Sequence, residues 1–332
     1  MPRRTAPEIP VVDIAGLDAD APDRAIEAIA AQIRAACLGT GFFYLSGHGI
    51  AEDLIAGVFA ANRWFHDLPL DEKLKIKMNV WHRGYQPLAS STLTSSARFA
   101  PAPSANQLES FFLRHEVSPD DPAYQVKELM GPNQWPEDPA FRAAVGRYDA
   151  AVRALGLKLL PAFSMAVGER PDFFRRFFDP PFTTLRLIHY PRTPKRRPSD
   201  LFGIHPHTDY GFLTILAQDE VGGLEVQRVD GGWIEAPPVP GTLILNIGDV
   251  LARWTNEVFN STPHRVLNRS HRRSRYSVGL FFDPNLDAMI NCLDGFADQA
   301  RPAGQAPIRY GDYFRMRLDS NFPDRVGVAR AS

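Results

Sequence analysis

Only two cysteines, Cys37 and Cys292, occur among 332 residues, enough in number for one disulfide, and no C-x-x-C spacing joins them, which excludes a thiolate zinc site. Both are expected to be free thiols in a reducing compartment. Long apolar runs are missing too: none approaches the roughly 18 residues needed to span a bilayer. Met1-Pro2-Arg3-Arg4 leads into no secretory apolar segment, so a cytoplasmic protein with no membrane partner is expected. Charge of one sign is scarce, since 37 basic and 38 acidic residues leave a formal net charge of −1. Such a balance provides no long-range field for gathering polyanions and argues against nucleic acid. Internal repeats and low-complexity tracts are absent, and the short basic stretch Pro194-Lys195-Arg196-Arg197 reads as a solvated loop. The chain can bury a sizeable core as one unit, and a monomer is the default expectation.

Periodicity divides what is present. Ile26, Ile29, Ala30, Ile33, Ala36 and Cys37 recur at helical spacing over Asp23 to Leu38, with Gly39 and Gly41 as the stop. A strand over Phe42 to Leu45, a helix from about Asp53 to Phe65 and a short helix around Asp71 to Lys77 should follow. The Ser-, Ala- and Pro-rich segment Trp81 to Ala105 reads as a mobile loop or lid, or equally as an ordinary surface connection. A long helix is expected from about Pro139 to Val167, with Phe141, Val145, Tyr148, Val152, Leu155 and Leu159 on one stripe. Beyond Thr183 the pattern turns to short strands: Leu185 to His189, Phe212 to Gln218, Leu224 to Arg228, Trp233 to Ala236, Thr242 to Ile247, His264 to Leu267 and Tyr276 to Phe282. Strands at this spacing point to a sandwich or barrel.

His207 and Asp209, two residues apart, can converge on one ion if they enter the strand Phe212 to Leu216, because residues i and i+2 share a strand face. His264 supplies a second imidazole. Two imidazoles and one carboxylate on one octahedral face leave three positions open, the arrangement of non-haem Fe(II) oxygenases, whereas a structural zinc site is closed by four ligands. Arg275 and Ser277 share a face by the same spacing, and guanidinium plus hydroxyl suits a carboxylate at the inner end of a pocket. His48, His66, His82, His115 and His189 read as structural, and His205 is kept outside the metal shell because Pro206 disturbs its geometry relative to His207.

With these elements in this order the chain resembles the isopenicillin N synthase-like family of Fe(II)- and 2-oxoglutarate-dependent dioxygenases. Further matches are Ile9-Pro10-Val11-Val12-Asp13-Ile14, Gly41 through Ile50, Trp64 through Pro69, Arg83-Gly84-Tyr85, Glu109-Ser110-Phe111, Leu185 through Pro191 and Gly241 through Asp249. The resemblance implies a mainly β fold with α, a double-stranded β-helix (jelly roll) core supported by N-terminal and central helices. It places N-terminal support and lid in 1–115, the core in 180–290 and a C-terminal extension in 291–332, within one catalytic unit.

The resemblance also implies roles. His207, Asp209 and His264 would hold Fe(II); 2-oxoglutarate would chelate the metal and be anchored by Arg275, with Ser277 and Tyr190 as further donors; O2 would take the last position. Succinate and CO2 would be released as a small-molecule metabolite is hydroxylated, desaturated or cyclised, with no catalytic side chain beyond the metal centre. Tyr85, Phe111, Arg114, Arg186 and Phe282 are candidate pocket walls, Arg186 for substrate or cosubstrate. Ile188 stands where many plant members carry Asn, and Arg273 competes with Arg275 for the anchor role. The intact Asp209 disfavours halogenation, which needs a small residue there. Alternatives are an oxidase of isopenicillin N synthase type, an ethylene-forming relative and a non-catalytic jelly-roll binding protein.

Overall fold

The computed structural model describes residues 9–18, 21–92, 102–122, 124, 129–196, 198 and 200–321. Its strands are β1 (Val11–Asp13), β2 (Phe42–Ser46), β3 (Gly84–Gln86), β4 (Glu109–Arg114), β5 (Phe182–Tyr190), β6 (Ile204–His207) and β7 (Leu213–Gln218). They continue with β8 (Leu224–Gln227), β9 (Trp233–Glu235), β10 (Leu243–Ile247), β11 (His264–Val266), β12 (Arg275–Asp283), β13 (Met289–Ile290) and β14 (Ile308–Arg309). One sheet runs β1-β2-β10-β7-β12-β5-β4-β3 and a second runs β6-β11-β8-β9, with β13 and β14 a separate pair. Only β1 beside β2 pairs in parallel among these strands. Two sheets, antiparallel apart from β1 beside β2 and crossed by one chain, form the sandwich that the strand spacing predicts and the jelly roll that the resemblance implies.

Each face of the large sheet has a separate task. Phe43, Leu45, Leu185, Leu187, Ile215, Leu245, Val278 and Leu280 are buried with the apolar stripes of the helices Asp23–Leu38, Glu52–Asp67 and Pro139–Ala166. Phe42, Tyr44, Ile188, Tyr190 and Ile244 turn the other way, packing with Ile204, Leu224, Val226 and Val266 of the smaller sheet. Successive strand residues alternate faces, so a shift of one residue moves a side chain from the helix layer to the space between sheets.

The helices begin and end where local chemistry dictates. Asp138 accepts the N–H groups of Ala140 and Phe141 at 2.7 and 2.9 Å, satisfying free donors at the start of Pro139–Ala166, and Pro139 needs no hydrogen bond there. The helix Asp23–Leu38 stops at Gly39 as expected. A short helix, Leu70–Leu74, falls within the expected neighbourhood. Within Trp81 to Ala105, residues 93–101 lie outside the described residues, and Gly84–Gln86 form the buried edge strand β3 rather than a loop. Among the described residues no helix is long and apolar enough to cross a membrane.

Candidate active site

β6 and β11 are antiparallel neighbours in which His207 stands directly opposite His264, with ring centroids 4.2 Å apart. His207 Nδ1 lies 2.8 Å from the carbonyl oxygen of His205, and His264 Nδ1 lies 3.2 Å from that of Thr262. A carbonyl only accepts, so each Nδ1 carries the proton and each Nε2 keeps its lone pair. The two Nε2 atoms are 3.8 and 3.7 Å from Asp209 Oδ1. Ligand atoms from the three residues all lie within 4.8 Å of one another, and this is the group among the described residues that could hold a metal ion.

Asp209 arrives there differently from the sequence-based expectation. His207 ends β6 in the smaller sheet, whereas Asp209 lies in the turn that crosses to β7 in the larger one. Convergence therefore comes from the crossing turn and the β6 to β11 register, not from two positions on one strand face.

The carboxylate is held by its other oxygen. Asp209 Oδ2 accepts from Thr214 Oγ1 at 2.5 Å and from Asn246 Nδ2 at 2.7 Å, leaving Oδ1 towards the imidazoles. Burial alone would raise the Asp209 pKa, but His264, His207 and the two donors outweigh it and lower the value. Burial, reinforced by His264, pushes His207 down. An ionised carboxylate beside a neutral imidazole is the protonation pattern that metal ligation requires.

Two cavities meet at this triad. The inner one, of about 60 Å³, is bounded by Arg275, Ser277, Tyr190, Ile188 and His264. The outer one, of about 130 Å³, is bounded by Phe112, Arg114, Thr184, Phe281, Phe314 and Leu318. Arg186, Ile204, His207, Asp209 and Phe281 border both. The two-residue repeat of paired strands sets this order: Tyr190 opposes Arg275, Ile188 opposes Ser277, Arg186 opposes Gly279 and Thr184 opposes Phe281. Walking along β5 from Tyr190 to Thr184 thus leads from the inner chamber to the outer one.

Arg275 is fully buried, yet its partners are neutral. It donates to the Gly222 carbonyl, to Ser277 Oγ at 3.2 Å and to Gln218 Oε1 at 3.3 Å, and its guanidinium carbon sits 4.7 Å from the centre of the Tyr190 ring. A buried cation with neutral partners at the end of a chamber is suited to receive a carboxylate. Arg273, the competitor, is exposed and paired with Glu220.

Three expected pocket residues lie on the helix side instead. Tyr85 is buried with its phenol donating to Glu109; Phe111 packs 5.1 Å from Phe65 and 5.3 Å from Phe141; Phe282 stacks on Phe178 at 5.0 Å. Strand alternation is the reason, and the neighbours Phe112 and Phe281 take the cavity positions. Arg114 and Arg186 do border the outer cavity. His205 turns away, its Nε2 3.2 Å from Ser104 Oγ. Thr214, Asn246, Phe281 and Phe314 escaped the sequence reading, although Asn246 gave a signal, a lone amide in the apolar run Leu243-Ile244-Leu245-Asn246-Ile247.

Residues 9–138 match the family model for the N-terminal part of a non-haem dioxygenase in morphine synthesis, and residues 181–284 match that of the 2OG-Fe(II) oxygenase superfamily. Homoarginine-6-hydroxylase 2-ODD-C23.1 of Arabidopsis thaliana is 35% identical, the match covering 95% of this chain and 97% of the relative. The 2-oxoglutarate-Fe(II) type oxidoreductase hxnY of Emericella nidulans is 34% identical over 94% of this chain and 89% of its own length. Among solved structures, a full-length Neurospora crassa protein in complex with alpha-KG and thymine superposes with a TM-score of 0.81 at 27% identity, covering 94% of this chain and 96% of that one. A 2OG-Fe(II) oxygenase family protein of Caulobacter crescentus gives 0.79 at 28% identity over 93% and 98%.

Proposed function

The chain belongs to the 2OG-Fe(II) oxygenase superfamily, and on that premise we propose that it hydroxylates a C–H bond of a small organic molecule seated in the outer cavity. It is a 2-oxoglutarate-dependent non-haem iron dioxygenase acting with Fe(II), 2-oxoglutarate and O2. The donor set fits the ion: two lone pairs and one carboxylate oxygen converge from one side, and no fourth His, Cys, Asp or Glu joins them among the described residues. Bound there, the metal and 2-oxoglutarate would supply the oxidation, in which one atom of O2 enters the substrate and the other enters the cosubstrate as it loses CO2 to become succinate.

The protein's own part is placement. Asn246 and Thr214 hold Asp209 so that one oxygen serves as ligand. Arg275 and Ser277 would grip the far carboxylate of 2-oxoglutarate, with Tyr190 lending its ring to the guanidinium. Phe112, Phe281, Phe314 and Leu318 exclude water around the substrate. The observation that carries the reading is the juxtaposition of a cation-ended chamber and a separate apolar chamber along two borders of one metal triad. The relatives named for homoarginine 6-hydroxylation support hydroxylation over desaturation or cyclisation.

The near-neutral charge supports a small-molecule partner, with neither nucleic acid nor membrane, acting on a monomer; free Cys37 and Cys292 support a cytoplasmic setting. The test is incubation with Fe(II), 2-oxoglutarate and labelled O2 against a metabolite panel that includes homoarginine and thymine. One succinate per product carrying one labelled oxygen is expected. Product formed without 2-oxoglutarate would overturn the reading.

A further inference from the structure

Arg186 is the cation at the seam between the two cavities, and it is satisfied only by neutral groups. Its Nε donates to Ser110 Oγ at 3.0 Å, its Nη2 donates to Gln86 Oε1 at 3.1 Å, and its guanidinium carbon lies 4.8 Å from the centre of the Phe112 ring. No carboxylate among the described residues forms an ion pair with it. Burial lowers its pKa, and Tyr190, Tyr210 and Asp209, which act the other way, do not outweigh it. Asp283, the other carboxyl at the wall, has Oδ1 committed to the Phe212 N–H at 2.8 Å, and burial pushes its pKa up to about 7. A half-buried guanidinium beside an apolar cavity therefore lacks the counter-charge that normally accompanies such a group.

We infer that the outer cavity binds a small organic acid, with Arg186 gripping its carboxylate by a charge-assisted pair while its apolar body lies against Phe281, Phe314 and Leu318. The inference rests on the oxygenase reading above and names the substrate class for it. Arg114, stacked 4.9 and 5.2 Å from the Phe182 and Phe314 ring centres, borders the same cavity with Asp283 beside it. Arg186 is not a second anchor for the far end of 2-oxoglutarate. It lies four residues along β5 from Tyr190, the partner of Arg275, which is about 13 Å of strand at ~3.3 Å per residue, so one distal carboxylate cannot be held at both places.

The experiment is calorimetric titration of the anaerobic Fe(II) and 2-oxoglutarate complex with phenylacetate and hexanoate, each compared with its amide, phenylacetamide or hexanamide. At least one acid should bind about tenfold or more tightly than its amide, as loss of a charge-assisted pair predicts. Arg186→Gln should bring that acid down to the amide's affinity while leaving 2-oxoglutarate binding within about threefold, and Arg186→Lys should keep part of the preference, which separates lost charge from lost structure. Equal binding of acid and amide, no acid binding at all, or an equal loss of 2-oxoglutarate affinity in Arg186→Gln would overturn the inference. The oxygenase reading fails separately, by absence of the weak visible band when 2-oxoglutarate meets the Fe(II) protein; the acid preference is read in the same titration whether or not that band forms.

Discussion

His207 and His264 occupy one register pair of two antiparallel strands, so the backbone ladder that holds the smaller sheet together also sets the distance between the two imidazoles. Each ring is locked through Nδ1 to a carbonyl two residues earlier in its own chain. Metal affinity is therefore tied to strand pairing, and neither ring can swing to replace the other.

Removing one ring should leave the ion with two protein ligands. His207→Ala is expected to abolish the weak visible charge-transfer band that forms when Fe(II) and 2-oxoglutarate are added under anaerobic conditions, while the far-ultraviolet circular dichroism stays that of the native fold. An unchanged band would remove His207 from the metal.

Arg275 is the counterpart at the other end of the inner chamber. Arg275→Gln keeps hydrogen-bonding capacity towards Gly222 and Gln218 but loses the charge, so 2-oxoglutarate affinity should fall roughly 100-fold with Fe(II) affinity little altered. Equilibrium titration of the band intensity against each component distinguishes the two. Equal losses for metal and cosubstrate would show that Arg275 supports the site as a whole.

Gly279 lies between Ser277 and Phe281 on the cavity face of β12, opposite Arg186. A Cβ added there meets only Leu216 Cδ1, at 3.4 Å, so alanine should be accommodated. Valine adds two methyl groups to the border of a chamber of about 60 Å³. Gly279→Val should raise the KM for 2-oxoglutarate about tenfold or more, since overpacking a filled site costs roughly 1–3 kcal/mol. Normal KM values in the valine variant would place the cosubstrate elsewhere.

Helices and strands are legible in the chain because their periods are strong, and the ligands because His207 and Asp209, a common spacing by itself, are followed in order by His264, Arg275 and Ser277. The cavity face was harder. Phe111 and Phe112, like Phe281 and Phe282, are adjacent aromatics in strands buried on both sides, so no alternation of polar and apolar residues marks which one faces the chamber. Only pairing with β5, where Arg186 and Thr184 mark the cavity side, decides it. The position of Asp209 in a crossing turn was likewise invisible, because turn geometry between two sheets depends on contacts such as the Phe212 N–H to Asp283 bond, 71 residues apart.

Asn246 tests whether holding the ligand matters as much as having it. Its amide donates to Asp209 Oδ2 at 2.7 Å; Asn246→Leu removes that donor within a buried strand and frees the carboxylate to rotate. Fe(II) affinity should fall about 10- to 100-fold, the usual cost of losing a group that orients a metal ligand. Asn246→Ser, which keeps a shorter donor, should recover part of it. If metal affinity is unchanged while only thermal stability drops, Asn246 is a packing residue.

Glu109 gives the fold a dependence on acid that is separate from the metal. Its Oε2 accepts from Lys73 Nζ at 2.9 Å and from the Tyr85 phenol, and its Oε1 lies 2.7 Å from His189 Nδ1. Burial alone would raise its pKa, but His189, Tyr85, His66 and Lys73 together hold it at about 2. A folded value below the ordinary carboxylate value of about 4.3 means stability that is present above that pH and lost as pH falls towards about 2. Burial also holds His66 neutral down to about 3, so the unfolded chain takes up a proton from about pH 6.5 downward that the fold refuses, which erodes stability in the same direction. The urea midpoint should therefore fall on acidification from about pH 6.5, and more steeply below about pH 4.3, where Glu109 joins His66. Glu109→Gln should cost about 3 kcal/mol near neutrality, because it leaves the Lys73 charge buried without its partner, and should flatten the steeper acid limb. Native and variant curves that run parallel below pH 4.3 would show that the Glu109 carboxylate does not carry this dependence.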